Sequence, residues 1–278
     1  MTATRVKPAL PGLVPVLLAT CWLKAGSACA DAYADAYASQ KSGDYAGALR
    51  QYQLLAAQGH AKAQFSLGAM YLQGLGVRKD AVAARRLFLQ AAEQGDAQAQ
   101  YNLGAVNEEG IGGRIDLDAA LKWYRLSAAQ GFAPAQMNLG GMYFAGRGVE
   151  RDPAQAVVMF RKVADKGDSR AQYNVGMAYL RGTGVPKHTE TAIKWLRRSA
   201  VQGDAKGRLG LGLAYAEGDG TPRDYVRASL WFAAAAEAGE QDAVKLKSAV
   251  EGVMNPEQAT AAAQLTQACR RQNYQMCD

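Results

Sequence analysis

The sequence predicts an all-α fold, a right-handed α-solenoid of helix–loop–helix pairs. Glycines recur every 36 residues along most of the chain, at positions 59, 95, 131, 167, 203 and 239. Alanines keep the same register, and two stretches of helical apolar spacing flank each glycine-rich loop. A fixed period of roughly 20 to 50 residues is typical of repeat architectures, in which each unit packs on its neighbours.

Five complete repeats follow from this period, and together they cover residues 60–239. Their predicted spans are 60–95, 96–131, 132–167, 168–203 and 204–239. Stacked units need different ends, because their outer faces have no neighbour. Residues 31–59 predict an N-terminal capping helix pair. Residues 240–278 predict two C-terminal capping helices, separated at Asn255-Pro256, where proline favours a first helical turn.

Each repeat is predicted to contain two helices, A and B, joined by a loop. In 168–203, SRAQYNVGMAYLRG predicts helix A, GTGVPKH the loop and TETAIKWLRRSAVQ helix B. Gly176 lies inside helix A, where glycine costs about 1 kcal/mol relative to alanine. Because every repeat carries this glycine, we expect helix B to approach helix A closely there, with a large side chain such as Leu196 opposite.

The recurrence also decides between two interpretations of the loop glycines. Taken alone, AQYNVGMAYLRGTGV (171–185) fits a phosphate-binding loop as well as a turn, since glycine serves both. A phosphate site is needed once, whereas Gly182 and Gly184 have counterparts in all five repeats, so we interpret them as architectural. The same logic makes the periodic aspartates N-caps of helix B rather than catalytic carboxylates. They are Asp80, Asp116, Asp152 and Asp224, with His188 in the remaining repeat.

Residues 1–30 have the three regions of a signal peptide. MTATRVK is basic, residues 9–23 are apolar, and Ala28-Cys29-Ala30 is a small-x-small cleavage motif. The apolar run is shorter than the ~20 residues of a membrane span. We predict export to the periplasm or secretion after cleavage near Ala30, with a lipoprotein modified at Cys21 as the alternative. An exported chain would retain Cys269 and Cys277, which we predict to form a disulfide; two free thiols are the alternative.

Several function classes find no support in the sequence. The formal net charge is +7, but no cluster of five lysines and arginines is present, so we do not expect nucleic-acid binding. The two histidines, His60 and His188, are not at metal-ligand spacing from cysteines or carboxylates. No Gly-x-Ser-x-Gly nucleophile motif occurs. We therefore expect no catalytic residues, no metal and no cofactor.

The repeats resemble Sel1-like repeats, which are longer-looped relatives of the tetratricopeptide repeat. The resemblance rests on AQYNLG…GIGG (99–113), AQMNLGGMYFAGRGVERD (135–152) and AIKWLRRSAVQGDA (192–205). Asn107 replaces the usual tyrosine, and Gly113 and Gly207 replace the usual valine and alanine. Some cysteine-rich members bind or hydrolyse penicillin-like compounds, but their recurrent disulfide pairs are absent here. A weak hydrolase is therefore the least favoured function.

By analogy with tetratricopeptide repeats, the helix A faces line a concave groove that binds a partner. The candidate partner-binding residues are Asn102, Asn138, Asn174, Tyr101, Tyr173, Arg170 and Arg181. Two structural alternatives stay open: the aromatic row is core, and the asparagines bond the adjacent helix. We predict a non-catalytic periplasmic or secreted adaptor that binds a protein or peptide through this groove. The alternative is a polysaccharide-binding or exopolysaccharide-export protein. Sugar binding predicts exposed aromatics in the groove, whereas peptide binding predicts asparagine and arginine.

Overall fold

The structure, a computed structural model, describes residues 31–218, 222–275 and 277. The predicted signal peptide lies outside these residues. The described chain forms fourteen helices and no strand. They are α1 (31–41), α2 (Tyr45–Ala57), α3 (Ala61–Gln73), α4 (Ala81–Glu93), α5 (Ala97–Glu109), α6 (Leu117–Ala129), α7 (Ala133–Ala145), α8 (Pro153–Ala164), α9 (Ser169–Arg181), α10 (Thr189–Val201), α11 (Ala205–Glu217), α12 (Tyr225–Glu237), α13 (Gln241–Glu251) and α14 (Pro256–Arg271).

The helices belong to two compact units, one with α1 to α5 and the other with α6 to α14. In the first unit, α2, α3, α4 and α5 pack in sequence order around Tyr52, Leu67 and Met70. In the second, each helix from α6 to α12 packs on the one that follows it, and α14 packs on α12. Helices α9 and α11 also touch, so these two successive A helices lie side by side.

The periodic polar residues cap helix N-termini, as the sequence predicts. Asp80, Asp116, Asp152 and Asp224 each accept a hydrogen bond from the backbone N–H three residues later. His188 keeps this role in its repeat, because its Nδ1 accepts from Thr191 N at 3.2 Å. His60 caps α3 in the same way. A second row, Asp96, Asp168 and Asp204, caps A helices, which the sequence analysis did not identify.

The loop glycines have two distinct structural tasks. Gly182 ends α9 with φ +67°, the left-handed conformation that glycine adopts most readily, and its N–H bonds Ala178 O. Gly184 also has a positive φ, and a Cβ there would overlap the backbone of Pro153 at the start of α8. The loop thus rests on the helix B of the preceding repeat, which supports the architectural interpretation.

The glycine inside helix A allows helix B to pack closely, as predicted. A Cβ placed on Gly140 would lie 2.6 Å from Phe160 Cε1, and one on Gly176 would lie 2.6 Å from Leu196 Cγ. Both distances are shorter than a van der Waals contact between carbon atoms. The large apolar side chain of helix B therefore occupies the volume that a methyl group would need.

Buried glutamines join the A helices of the first four repeats to the helix before each of them. Their Nε2 atoms donate to backbone carbonyls eight residues earlier at 3.1–3.3 Å. These glutamines are Gln64, Gln100, Gln136 and Gln172. In the first and fourth repeats the glutamine Oε1 also accepts from a glutamine thirty residues later: Gln94 bonds Gln64 at 2.7 Å, and Gln202 bonds Gln172 at 2.8 Å.

In the third repeat, the buried glutamine lacks the hydrogen bond from a second glutamine to its Oε1 atom. Lys166 occupies the position of Gln202 and donates to Gly131 O, which leaves Gln136 Oε1 buried without a partner. We expect Lys166→Gln to stabilise the protein by about 0.5–1.5 kcal/mol, because it supplies the missing donor. Urea denaturation checks this, with Lys162→Gln as the control for the lost charge. Equal shifts in the two variants would contradict the hydrogen-bond explanation.

The C-terminal residues fold back onto the last repeat. Cys269 and Cys277 are paired as a disulfide, with a Cα–Cα distance of 5.6 Å. Between them Asn273 and Tyr274 have positive φ values of 50° and 60°, which direct Tyr274 into the core near Trp231. Burial opposes ionisation of Glu237, but hydrogen bonds from Arg270 and Tyr274 outweigh it and lower the pKa of this carboxyl.

Candidate binding groove

One apolar cavity in the second compact unit brings together three of the predicted partner-binding residues. It has a volume of about 260 Å³ and is formed by α7, α8, α9 and the loop after α9. Tyr173, Asn174 and Arg181 contribute to its wall. We call this cavity the α7–α9 groove. Its other lining residues are Gly141, Phe144, Val157, Phe160, Met177, Ala178 and Thr183.

The groove is open at α7 because residue 141 has no side chain. A Cβ built on Gly141 meets no atom within 4 Å, in contrast to the close contact at Gly140. The corresponding residues of the other repeats all carry a side chain: Ala69, Ala105, Met177 and Leu213. Helix packing does not require glycine at position 141, so its effect is to leave space.

The polar groups of the groove are few and lie around an apolar floor. Val157 and Phe160 of α8 are buried beneath it, while Asn174 and Thr183 are half-buried. Among the residues that the structure describes, Arg181 is the one charged side chain in the lining, and no carboxylate lines the groove. Burial raises the pKa of Tyr173, with Arg181 opposing the shift, so its hydroxyl is neutral at physiological pH.

The other candidate residues lie in different surroundings. Asn138 donates to the Tyr124 hydroxyl at 3.0 Å, so its amide is used between α6 and α7. Asn102 donates to Gln98 O in its own helix at 2.9 Å. Arg170 is exposed beside Asp168 and does not line the groove. Tyr101 is half-buried on α5, in the first compact unit. The asparagine row is therefore not a uniform ladder, since each member has its own surroundings.

Comparison with known proteins places these repeats in a family. The Sel1 repeat model matches residues 61–96, 97–132, 133–168, 169–204 and 205–240. The chain belongs to the Sel1 repeat family. These spans keep the predicted 36-residue period and begin one residue later than the predicted boundaries. Together with the helical structure, the match confirms the all-α solenoid.

Two solved structures support the Sel1 assignment. A Sel1 repeat protein from Oxalobacter formigenes is 34% identical over 83% of this chain and 97% of its own, with a TM-score of 0.74. The c5321 protective antigen of uropathogenic Escherichia coli is 32% identical, with a TM-score of 0.53. That match covers 80% of this chain and 56% of the antigen, so this Sel1 protein spans little more than half of it. No curated protein matches the chain.

Sel1 repeat proteins generally mediate protein–protein interactions on a scaffold that is generally non-catalytic. In residues 31–218, 222–275 and 277, no three histidine, cysteine or carboxylate side chains form a group that could hold a metal ion. Both histidines in this part of the chain use Nδ1 as a helix-cap acceptor. None of the helices described has the length and hydropathy to span a bilayer.

Two residues that shape the groove of this Sel1 protein, Gly141 and Phe144, were not predicted from the sequence. Phe144 is 46% exposed at the rim, and Arg151 holds its guanidinium 5.8 Å from the ring while donating to Phe144 O. Comparing the repeats position by position would have found Gly141, because no other repeat has glycine there. The exposure of Phe144 has no such signal, since it depends on the shape of the neighbouring helices.

Proposed function

We propose that this Sel1 repeat protein is a non-catalytic adaptor that binds a protein or peptide segment in the α7–α9 groove. The observation that carries the proposal is the space at Gly141, which opens an apolar cavity where other repeats have side chains. Apolar walls supply most of the affinity of such a site, and a few fixed polar groups orient what binds. Asn174 and Arg181 are suited to orient a peptide backbone and a side chain.

We further propose that the adaptor acts in the periplasm or is secreted. The support is the order of a basic segment, an apolar run and the Ala28-Cys29-Ala30 motif at the N-terminus. A disulfide between Cys269 and Cys277 suits an oxidising compartment. The intact mass of the chain recovered from the periplasm or medium is expected to correspond to a start at Asp31.

Polysaccharide binding is the second candidate, favoured by the exposed ring of Phe144. Sugars stack on the open face of an aromatic ring, and Phe144 offers one at the groove rim. Tyr173 is less suited to stacking, because its Cε2 lies 3.4 Å from where a Cβ on Gly210 of α11 would be. One edge of this ring is therefore already packed, which supports a peptide over a glycan.

A photo-crosslinking amino acid at position 144 tests the adaptor function in the native envelope. We expect it to capture a defined protein partner, and the same probe at Val158 to capture none. Val158 is a matched control because its exposure is also 46% and it does not line the groove. Gly141→Met in the same chain should abolish capture, because a Cβ at position 141 meets open space and the longer methionine side chain would occupy the cavity.

Two outcomes would contradict the adaptor function. Capture that persists in Gly141→Met would show that the partner does not enter the groove. Capture of glycans rather than protein, confirmed by binding of the purified chain to a glycan array, would favour the polysaccharide function instead. Circular dichroism of Gly141→Met is the control for folding.

A further inference from the structure

We propose that the α7–α9 groove recognises a peptide segment in which an aromatic side chain is flanked by carboxylates. The inference rests on the proposed function and names the chemistry of the partner. Its two parts, the aromatic anchor and the acidic flanks, follow from different features of the groove.

The size and lining of the cavity fit one aromatic side chain. An apolar protein cavity of about 150 Å³ is large enough to hold benzene, and the groove offers about 260 Å³. Pockets for drug-sized ligands start near 300 Å³, so the groove is better matched to one anchoring side chain than to a whole small molecule. Its floor and walls are Val157, Phe160, Met177 and Ala178.

Two of the lining residues favour a ring over a branched aliphatic side chain. Met177 contributes a polarisable thioether, which makes favourable contacts with ring edges. Phe144 stands half-exposed at the rim, where an inserted ring can meet it edge to face. These contacts add to the area that the inserted side chain buries.

The charges around the groove favour acidic groups next to the anchor. Arg181 is exposed, lines the groove, and has no hydrogen bond or ion pair within the described part of the chain. The repeat that contains it, 169–204, has six arginines and lysines against two carboxylates, Glu190 and Asp204. Asp204 keeps its charge while it caps α11, and Asp204 and Glu240 both act electrostatically on Tyr173. Neither carboxylate is among the residues that line the groove, so Arg181 is the nearest charge to a group bound there.

A second guanidinium stands beside Phe144, one of the residues that line the groove. Arg151 is held over the Phe144 ring, and its Nε donates to Phe144 O at 3.1 Å. The neighbouring carboxylate Asp152 caps α8 and is bonded to Gln155 N. A segment whose ring enters the cavity would thus meet Arg181 in the lining and Arg151 beside Phe144, and carboxylates flanking the ring would complement both.

Three fluorescent peptides of equal length test the inference on the purified chain. One has phenylalanine flanked by aspartate and glutamate, the second replaces the phenylalanine by alanine, and the third replaces the acidic residues by lysine. We expect the first to bind at least about tenfold more tightly than either of the others by fluorescence anisotropy. Its affinity should fall as salt is raised, since the flanking charges are solvent-exposed.

Two variants test whether binding depends on the apolar cavity and on the charge of Arg181. Gly141→Met should weaken the acidic phenylalanine peptide at least about tenfold, because it removes the cavity. Arg181→Glu should weaken the same peptide and improve the lysine-flanked one. Arg161→Glu is the matched control, because it makes the same charge change at an exposed residue of α8 outside the groove lining.

The outcomes separate the inference from the function on which it rests. Tight binding of the acidic phenylalanine peptide, lost in Gly141→Met and reversed by Arg181→Glu, supports both. If the lysine-flanked peptide binds as tightly, or Arg181→Glu acts no differently from Arg161→Glu, the partner chemistry is wrong while peptide binding stands. If none of the three peptides binds, the inference fails. The adaptor function is then tested by photo-crosslinking at position 144 alone.

Discussion

Alanine at Gly140 should destabilise the protein by about 1–3 kcal/mol, whereas alanine at the adjacent Gly141 should stabilise it by up to about 1 kcal/mol. A Cβ on Gly140 would lie 2.6 Å from the Phe160 ring, so the helices must separate or the ring must leave its rotamer. A Cβ on Gly141 meets nothing within 4 Å, and alanine there has only the better helix propensity to contribute. Thermal and urea unfolding of the two variants measure the difference.

Gly176→Ala provides a control for this pair in the next repeat. It should behave like Gly140→Ala, because its Cβ would lie 2.6 Å from Leu196 Cγ. The effect should be smaller than at Gly140 if the leucine turns aside more easily than the phenylalanine ring. Equal stabilities for Gly140→Ala and Gly141→Ala would contradict the close-packing argument at once.

The second large effect is expected at the C-terminal tail. Tyr274 is 3% exposed, its ring centroid lies 6.3 Å from that of Trp231, and its hydroxyl donates to Glu237 Oε2 at 2.7 Å. The guanidinium of Arg208 lies over the Tyr274 ring, 4.9 Å from its centroid. We expect Tyr274→Ala to cost about 3–5 kcal/mol, as for other fully buried aromatic residues cut to alanine.

Loss of the disulfide should loosen the same packing. Replacing Cys269 and Cys277 by serine together is expected to cost about 2–4 kcal/mol, because the tail regains its freedom in the unfolded chain. Thermal unfolding with and without reductant checks this, and the serine variant should no longer respond to reductant.

Tyr274→Phe is the matched control for the tyrosine, since it keeps the ring and removes only the bond to Glu237, worth about 0.5–3 kcal/mol. An unchanged melting temperature in Tyr274→Ala would show that the tail is not part of the folded core.

Arg208 shows how the repeat pattern is altered at this end. It stands where other repeats have a buried glutamine, and its Nε donates to Ala200 O at 3.3 Å in the same manner. The longer side chain also reaches Ala234 O at 3.2 Å. The last Sel1 repeat match ends at residue 240, and the ring of Tyr274 from the tail lies against this guanidinium.

The periodic features could be predicted from the sequence because they are local and repeated. The N-caps at Asp80 and Asp152 depend on the three residues that follow each of them. Gly140 and Gly176 could be predicted to face helix B. Glycine is unfavourable inside a helix, and yet it recurs at this position in every repeat. Because the pattern occurs in five repeats, differences in a single repeat do not obscure it. The fold class and the positions of the helices within each repeat therefore follow from the period alone.

The groove depends on how one repeat differs from the others, and the tertiary structure alone decided it. Asn138 and Asn174 hold the same position in successive repeats, yet Asn174 lines the groove whereas Asn138 donates to Tyr124 of the preceding helix. Gly141 opens a cavity only because α8 and α9 close the other sides. The tail is a similar case, since Tyr274 reaches Trp231 through two residues with positive φ. Contacts between residues far apart in the chain have no period, so the spacing that determined the fold could not determine them.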